Sequence, residues 1–120
     1  MVDVAACGVC HTDLHVMKGE VKFPVPCVLG HEISGTVVAA GPGADSWLNK
    51  NVIVPAVMPC NNCDICAQDR GNRCLQQKMP GNSLGMYGGF ADYIPVPAAD
   101  LCVIDDLKGR PLENFAVIAD

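Results

Sequence analysis

Residues 33–57, ISGTVVAAGPGADSWLNKNVIVPAV, decide the fold class of this chain. ISGTVVAA is dense in β-branched side chains and stops at the turn Gly41-Pro42-Gly43, so it reads as a strand over 33–40. VIVPAV reads as a second strand over 52–57, where Pro55 marks an edge or a bend because it has no N–H for the ladder. Upstream, 2–6 is a short strand candidate that enters at once into the loop ACGVCHTD. Thr12 or Asp13 is expected to cap a short helical turn that runs to Met17 and ends at Gly19. Residues 22–26 are proline-broken and extended. Downstream, a glycine-rich turn (Gly85, Gly88, Gly89) precedes two more strands, near 90–96 and 101–104. Pro111 sits where a helix would start, and ENFAVIAD continues it. Many short strands with Gly and Pro turns, and little helix, predict a mainly β domain, a small barrel or sandwich. There is no internal repeat and no linker. The chain stops inside its last predicted helix, from which a truncated unit is expected.

The chemistry is densest in CNNCDICAQDRGNRC, where Cys60, Cys63, Cys66 and Cys74 are spaced C-x2-C-x2-C-x7-C. Two-residue gaps let a tight turn aim successive thiolates at one zinc ion, and a gap of seven is long enough to close the fourth corner. The intervening residues are polar and turn-forming (Asn61, Asn62, Asp64, Asp69, Gly71, Asn72), so they offer no apolar core of their own. A metal would hold the lobe together, and four thiolates make a closed, structural site. Disulfides are the competing use of these cysteines.

Composition narrows the setting. No charged segment leads into a short apolar run as a secretory signal would, and no apolar run approaches membrane-spanning length. Clustered CxxC spacing without an export signal favours metal binding in a reducing, cytoplasmic compartment. A net charge of −5 argues against a nucleic-acid partner. At 120 residues, half of them hydrophobic, the chain fits one domain with a real core.

A second group of ligand types lies upstream: Cys10, His11, Asp13 and His15 in CGVCHTDLH, then His31 and Glu32 in GHE. Singly, each is more often a packed or solvated side chain than a ligand. Together they stand in Gly-flanked loops, where scaffolds place working residues. A thiolate, an imidazole and one more ligand would leave zinc an open position, as a catalytic site requires.

The segments GVCHTDLH, LGHEISGTVVAAGPGA, VIVPAVMPC, the cysteine lobe and GGFADYIPVPA resemble, in order and separation, the zinc-dependent medium-chain alcohol dehydrogenase family. The resemblance covers nearly the whole chain. It implies a GroES-like β-barrel catalytic domain over 1–120, containing the structural zinc lobe 60–74. It also implies that Cys10 and His31 hold a catalytic zinc, with Asp120 near the position of the third ligand. By the same resemblance Thr12 is the hydroxyl beside the alcohol and His15 the far end of a proton relay. Asp13 orients the ligand histidine, Glu32 is an acidic neighbour of the metal, and His11 contacts the cofactor pyrophosphate. Cys7, Cys27 and Cys102 match no ligand and read as small buried hydrophobes.

The implied reaction moves a hydride between an alcohol or ketone and NAD(P), with zinc as the Lewis acid that lowers the pKa of the alcohol. The implied whole protein is homo-oligomeric. Thr12 and Asp13 are equally readable as helix caps. No G-x-G-x-x-G follows a strand here, so the dinucleotide-binding unit is expected outside these residues. Ala56 falls near a position where relatives place a bulky aromatic against the substrate. The phrasing around VIVPAVMPC and MPGN further resembles the branch that oxidises 6-hydroxycyclohex-1-ene-1-carbonyl-CoA. Two competing classes stand beside the enzyme: a zinc-binding module that only recognises a partner, and a non-catalytic relative with a structural role.

Overall fold

The computed structural model describes residues 1–83 and 85–120. An antiparallel sheet of five strands organises them: β1 (Val2–Gly8), β2 (Glu32–Val37), β3 (Asn51–Val54), β4 (Tyr93–Ile94) and β5 (Cys102–Val103). Their spatial order is β4-β1-β2-β3-β5, so β4 and β5 form the two edges. β2 is the central strand, pairing Val37 with Val2 on one side and Ile33 with Val54 on the other. Between Val4 and Ala6 the register of β1 shifts by a bulge, which bends the strand's end toward the loop that carries Cys10.

Strand ends differ from the sequence reading for identifiable reasons. β2 stops at Val37 because the next two amides, Val38 and Ala39, turn to the Met1 carbonyl. β3 stops at Val54, before the proline; the Ala56 N–H then donates to the Ala119 carbonyl at 2.9 Å. β4 keeps two residues of the seven expected: before it the Phe90 N–H goes to the Leu29 carbonyl, and after it Pro95 and Pro97 have no N–H to donate. The helix α1 spans His11–Met17 and its cap is Cys10, not Thr12 or Asp13. Asp13 acts from inside the first turn instead, its carboxylate accepting from the Cys10 N–H at 3.0 Å. The terminal helix is a 3₁₀ run, Leu112–Ile118, opening after Pro111 as expected but wound more tightly.

The core is made by Val2, Ile33, Val37, Val52, Val54, Met58, Ile94 and Leu101, all buried. Behind β1 and β2 the sheet is covered by the terminal 3₁₀ run. Ser34 lies fully buried there and donates to the Leu112 carbonyl at 2.9 Å, which satisfies its hydroxyl and fixes the run in place. This docking positions Asp120. Ile33 sits at the centre of the core, so Ile33→Ala is expected to cost about 2–5 kcal/mol. The readout is a lower urea midpoint at unchanged m-value. Among the described residues no helix is long and apolar enough to cross a membrane.

Candidate metal centres

The four cysteines of the lobe converge. Sγ atoms of Cys63 and Cys66 are 3.5 Å apart, those of Cys60 and Cys66 3.9 Å, and those of Cys63 and Cys74 3.9 Å. A tetrahedron with zinc–sulfur bonds of about 2.3 Å has edges of about 3.8 Å. These separations fit that edge and are far beyond a disulfide bond of about 2.05 Å. Local backbone explains the convergence. Cys63 caps α2 (Asp64–Ala67), which returns Cys66, and a 3₁₀ turn at Gly71–Arg73 delivers Cys74. Asn61 and Asp69 take the left-handed conformation, φ 55° and 57°, which these side chains tolerate best after glycine. The base is closed by Met58 and Lys78, whose backbones exchange two hydrogen bonds of 2.8 Å.

Donors also point at the sulfurs. The N–H groups of Cys60 and Gln76 reach Cys74 Sγ at 3.4 and 3.3 Å. The Cys60 amide, with that of Gln76 behind it, lowers the Cys74 thiol to about 7 against the penalty of burial. The Cys66 amide likewise lowers Cys63. These two are poised to be thiolates, the form that binds metal, whereas burial first of all raises the Cys66 thiol, and at Cys60 the lowering by the Asn62 amide is outweighed by hydrogen bonds from its sulfur neighbours, which raise that thiol.

The second centre gathers residues from three places in the chain. Ligand atoms of Cys10, His31, Glu32 and Asp120 all lie within 4.8 Å of one another. Cys10 Sγ is 4.0 Å from Asp120 Oδ2, close to the edge of about 3.6 Å that bonds of about 2.3 and 2.1 Å would give. His31 follows Gly30, whose φ of +99° and lack of Cβ let the chain pass Cys7 Sγ, 2.6 Å from where a Cβ would stand. Gly8 plays the same part for Glu32, because a Cβ there would collide with its carboxylate. Mixed sulfur, nitrogen and oxygen donors suit zinc. Glu32 brings a carboxylate oxygen into the same cluster, beside the other three ligand atoms.

Around this cluster, Thr12 Oγ1 is 3.6 Å from Cys10 Sγ. Asp13 is buried; it binds the Cys10 and Gly30 amides at 3.0 and 3.2 Å, tying the two ligand loops together. Its Oδ1 is 3.7 Å from His31 Nδ1. Asn82, given no role of its own by the sequence, is nearer to that nitrogen, its Nδ2 at 3.1 Å. His15 lies on the same helix as Thr12, half exposed, and pairs with Glu20. His11 is exposed, its ring centroid 5.4 Å from that of His15.

Other assignments fare unevenly. Cys7 is half-buried, and desolvation pushes its thiol up to about 11, as suits a packed side chain. Cys27 is half-buried, whereas Cys102 is exposed because it sits on the edge strand β5. Ala56 is buried at 3% exposure, its amide occupied by Ala119.

Comparison with known proteins agrees with this architecture. The profile of the family described as "Alcohol dehydrogenase GroES-like domain" matches residues 1–106. A "Probable zinc-binding alcohol dehydrogenase" of Mycobacterium tuberculosis is 35% identical over 121 residues, which are 100% of this chain and 32% of that protein. L-galactonate-5-dehydrogenase of Escherichia coli is 32% identical, over 99% of this chain and 36% of its own. The structure of acetophenone reductase from Geotrichum candidum in complex with NAD superposes with a TM-score of 0.84 at 32% identity, covering 99% of this chain and 35% of that one. The chain spans about a third of the length of each of these relatives.

Proposed function

Because the chain belongs to the alcohol dehydrogenase GroES-like domain family, we propose that it supplies the catalytic domain of a zinc-dependent dehydrogenase passing a hydride between a secondary alcohol and NAD(P). The observation that carries this reading is the convergence of Cys10, His31, Glu32 and Asp120 on one point, beside the hydroxyl of Thr12. Cys10, His31 and Asp120 are the ligands, with Glu32 beside them. Cys60, Cys63, Cys66 and Cys74 hold a second, structural zinc. When bound at the first centre, zinc supplies Lewis acidity that makes the alcohol easier to deprotonate.

The chain's own residues do the rest. Thr12 receives the alcohol proton and passes it along α1 toward His15, whose partner Glu20 opens on solvent. Asp13 holds the two ligand loops at a fixed separation. His11, exposed on the same helix, would meet the cofactor pyrophosphate. The finer reading of the substrate is a cyclic hydroxyacyl-CoA, supported by the motif wording and the small side chain of Ala56. Free thiolate ligands persist in a reducing environment, which supports a cytoplasmic enzyme; that the whole protein is a homo-oligomer rests on the family resemblance alone.

Metal analysis of the full-length protein tests the reading. Two zinc ions per chain are expected, and His31→Ala should remove one of them together with the activity. Retention of both ions in that variant sinks the assignment of His31.

A further inference from the structure

We propose that His11 and His15 form a third metal site, a two-armed imidazole clamp on the open face of α1 that takes a divalent cation such as Zn²⁺ or Ni²⁺. It lies outside both cysteine-containing centres and draws its ligands from one helix. His11 and His15 stand four positions apart on α1 (His11–Met17), which sets them on the same face, one turn apart. Zinc-binding helices use the same i, i+4 spacing of two histidines. The ring centroids are 5.4 Å apart and the ring planes are tilted by 52°, so the rings do not stack. Two imidazoles bound at about 2.0–2.1 Å to one tetrahedral ion have centroids about 5.2 Å apart. The helix therefore holds the pair close to chelating separation before any ion arrives.

Glu20 completes the arrangement. Its carboxylate pairs with Nδ1 of His15, and the loop after α1 brings it there, because the Glu20 N–H donates to the His15 carbonyl at 2.9 Å. A carboxylate that accepts the Nδ1 proton leaves Nε2 with a lone pair and makes the ring a more basic ligand. Glu20 is thus an orienting partner of the clamp, not a third arm. Both imidazoles are exposed, so water fills the remaining positions around the ion. Imidazole nitrogen suits zinc and nickel alike. With only two protein ligands the clamp binds more weakly than the two centres above. It gives up its ion on dialysis and adds nothing to the two zinc ions expected to be retained.

An ion held here bears on the reaction, a consequence that rests on the roles proposed above. It would occupy the imidazole at the outer end of the relay and, with it, the side chain offered to the cofactor pyrophosphate. Excess zinc therefore slows alcohol oxidation by engaging both histidines at once.

The test is a calorimetric titration of the full-length protein, already holding its two zinc ions, with Zn²⁺ and separately with Ni²⁺. Cu²⁺ is avoided because it oxidises thiols and Cys102 is exposed. Wild type should take up one further ion per chain. His11→Gln and His15→Gln should each weaken that uptake about tenfold or more, since either change turns a chelate into a single ligand. Glu20→Ala should weaken it about tenfold. All three side chains are exposed, so none of these substitutions disturbs the core. No further ion in wild type, or one bound as tightly in His11→Gln and His15→Gln as in wild type, overturns the proposal. Either result leaves the reading of the first centre standing, because that reading turns on His31. A further ion lost in both variants that leaves wild-type oxidation at full rate keeps the clamp and removes His11 and His15 from the reaction.

Discussion

Replacing Cys63 by Ser is expected to release one zinc ion and to unfold residues 60–74 while the sheet stays folded. Zinc binding to such sites is worth about 10–16 kcal/mol at neutral pH, and here nothing else of that size holds the lobe. Of its residues only Cys74 is buried, and the side chains between the cysteines are mostly exposed. The remaining ties are peripheral: one side-chain hydrogen bond from Asn61 to Asp100, 2.8 Å, and short backbone turns. The sheet core, by contrast, lies wholly outside 60–74, with Met58 its nearest member. The variant should therefore show one zinc fewer per chain, new protease cleavage within 60–74, and a urea transition that persists. Unchanged zinc content with unchanged cleavage would sink the idea that a metal folds the lobe.

How much of this was legible beforehand depends on the range of the interaction. The lobe is written locally: cysteine spacing, left-handed turns at Asn61 and Asp69, and the helix-capping Cys63 all lie within fifteen residues, so the pattern and the geometry coincide. β-branched runs located the central strands for the same reason. Strand lengths did not follow, since the end of β2 is set by Met1 and that of β3 by Pro55, the next amide donor, Ala56, going to Ala119. Propensity carries no information about such distant partners. The cluster around His31 is harder still. Cys10 and His31 stand in motifs, but the placement of Asp120 comes from two long-range bonds, Ser34 to Leu112 and Ala56 to Ala119. Asn82 carried no local signal, because its contact with His31 arises only when residues 51 positions apart meet.

In the full-length enzyme, Thr12→Val is expected to reduce alcohol oxidation by about 10²–10⁴-fold, the usual worth of positioned general-base assistance. An alcohol must lose its proton as its carbon loses a hydride, and Thr12 carries the hydroxyl 3.6 Å from Cys10 Sγ, at the edge of the proposed ligand cluster. The architecture makes the substitution a clean one. Cys10, not Thr12, caps α1, so removing the hydroxyl does not uncap the helix. Val and Thr have similar helix propensity, so stability should change little. A large rate loss in a protein with full metal content and an unchanged melting transition therefore belongs to proton transfer. His15→Gln should be milder, because His15 is half exposed beside Glu20 and water and buffer can reach its place. Raising the concentration of buffer base should recover part of that loss, but little of the loss in Thr12→Val, whose hydroxyl is the inner end of the relay. Rates measured against buffer concentration in both variants separate the two roles. Wild-type oxidation by Thr12→Val with zinc fully bound would remove the relay from the mechanism and leave Thr12 as an ordinary residue of the first helical turn.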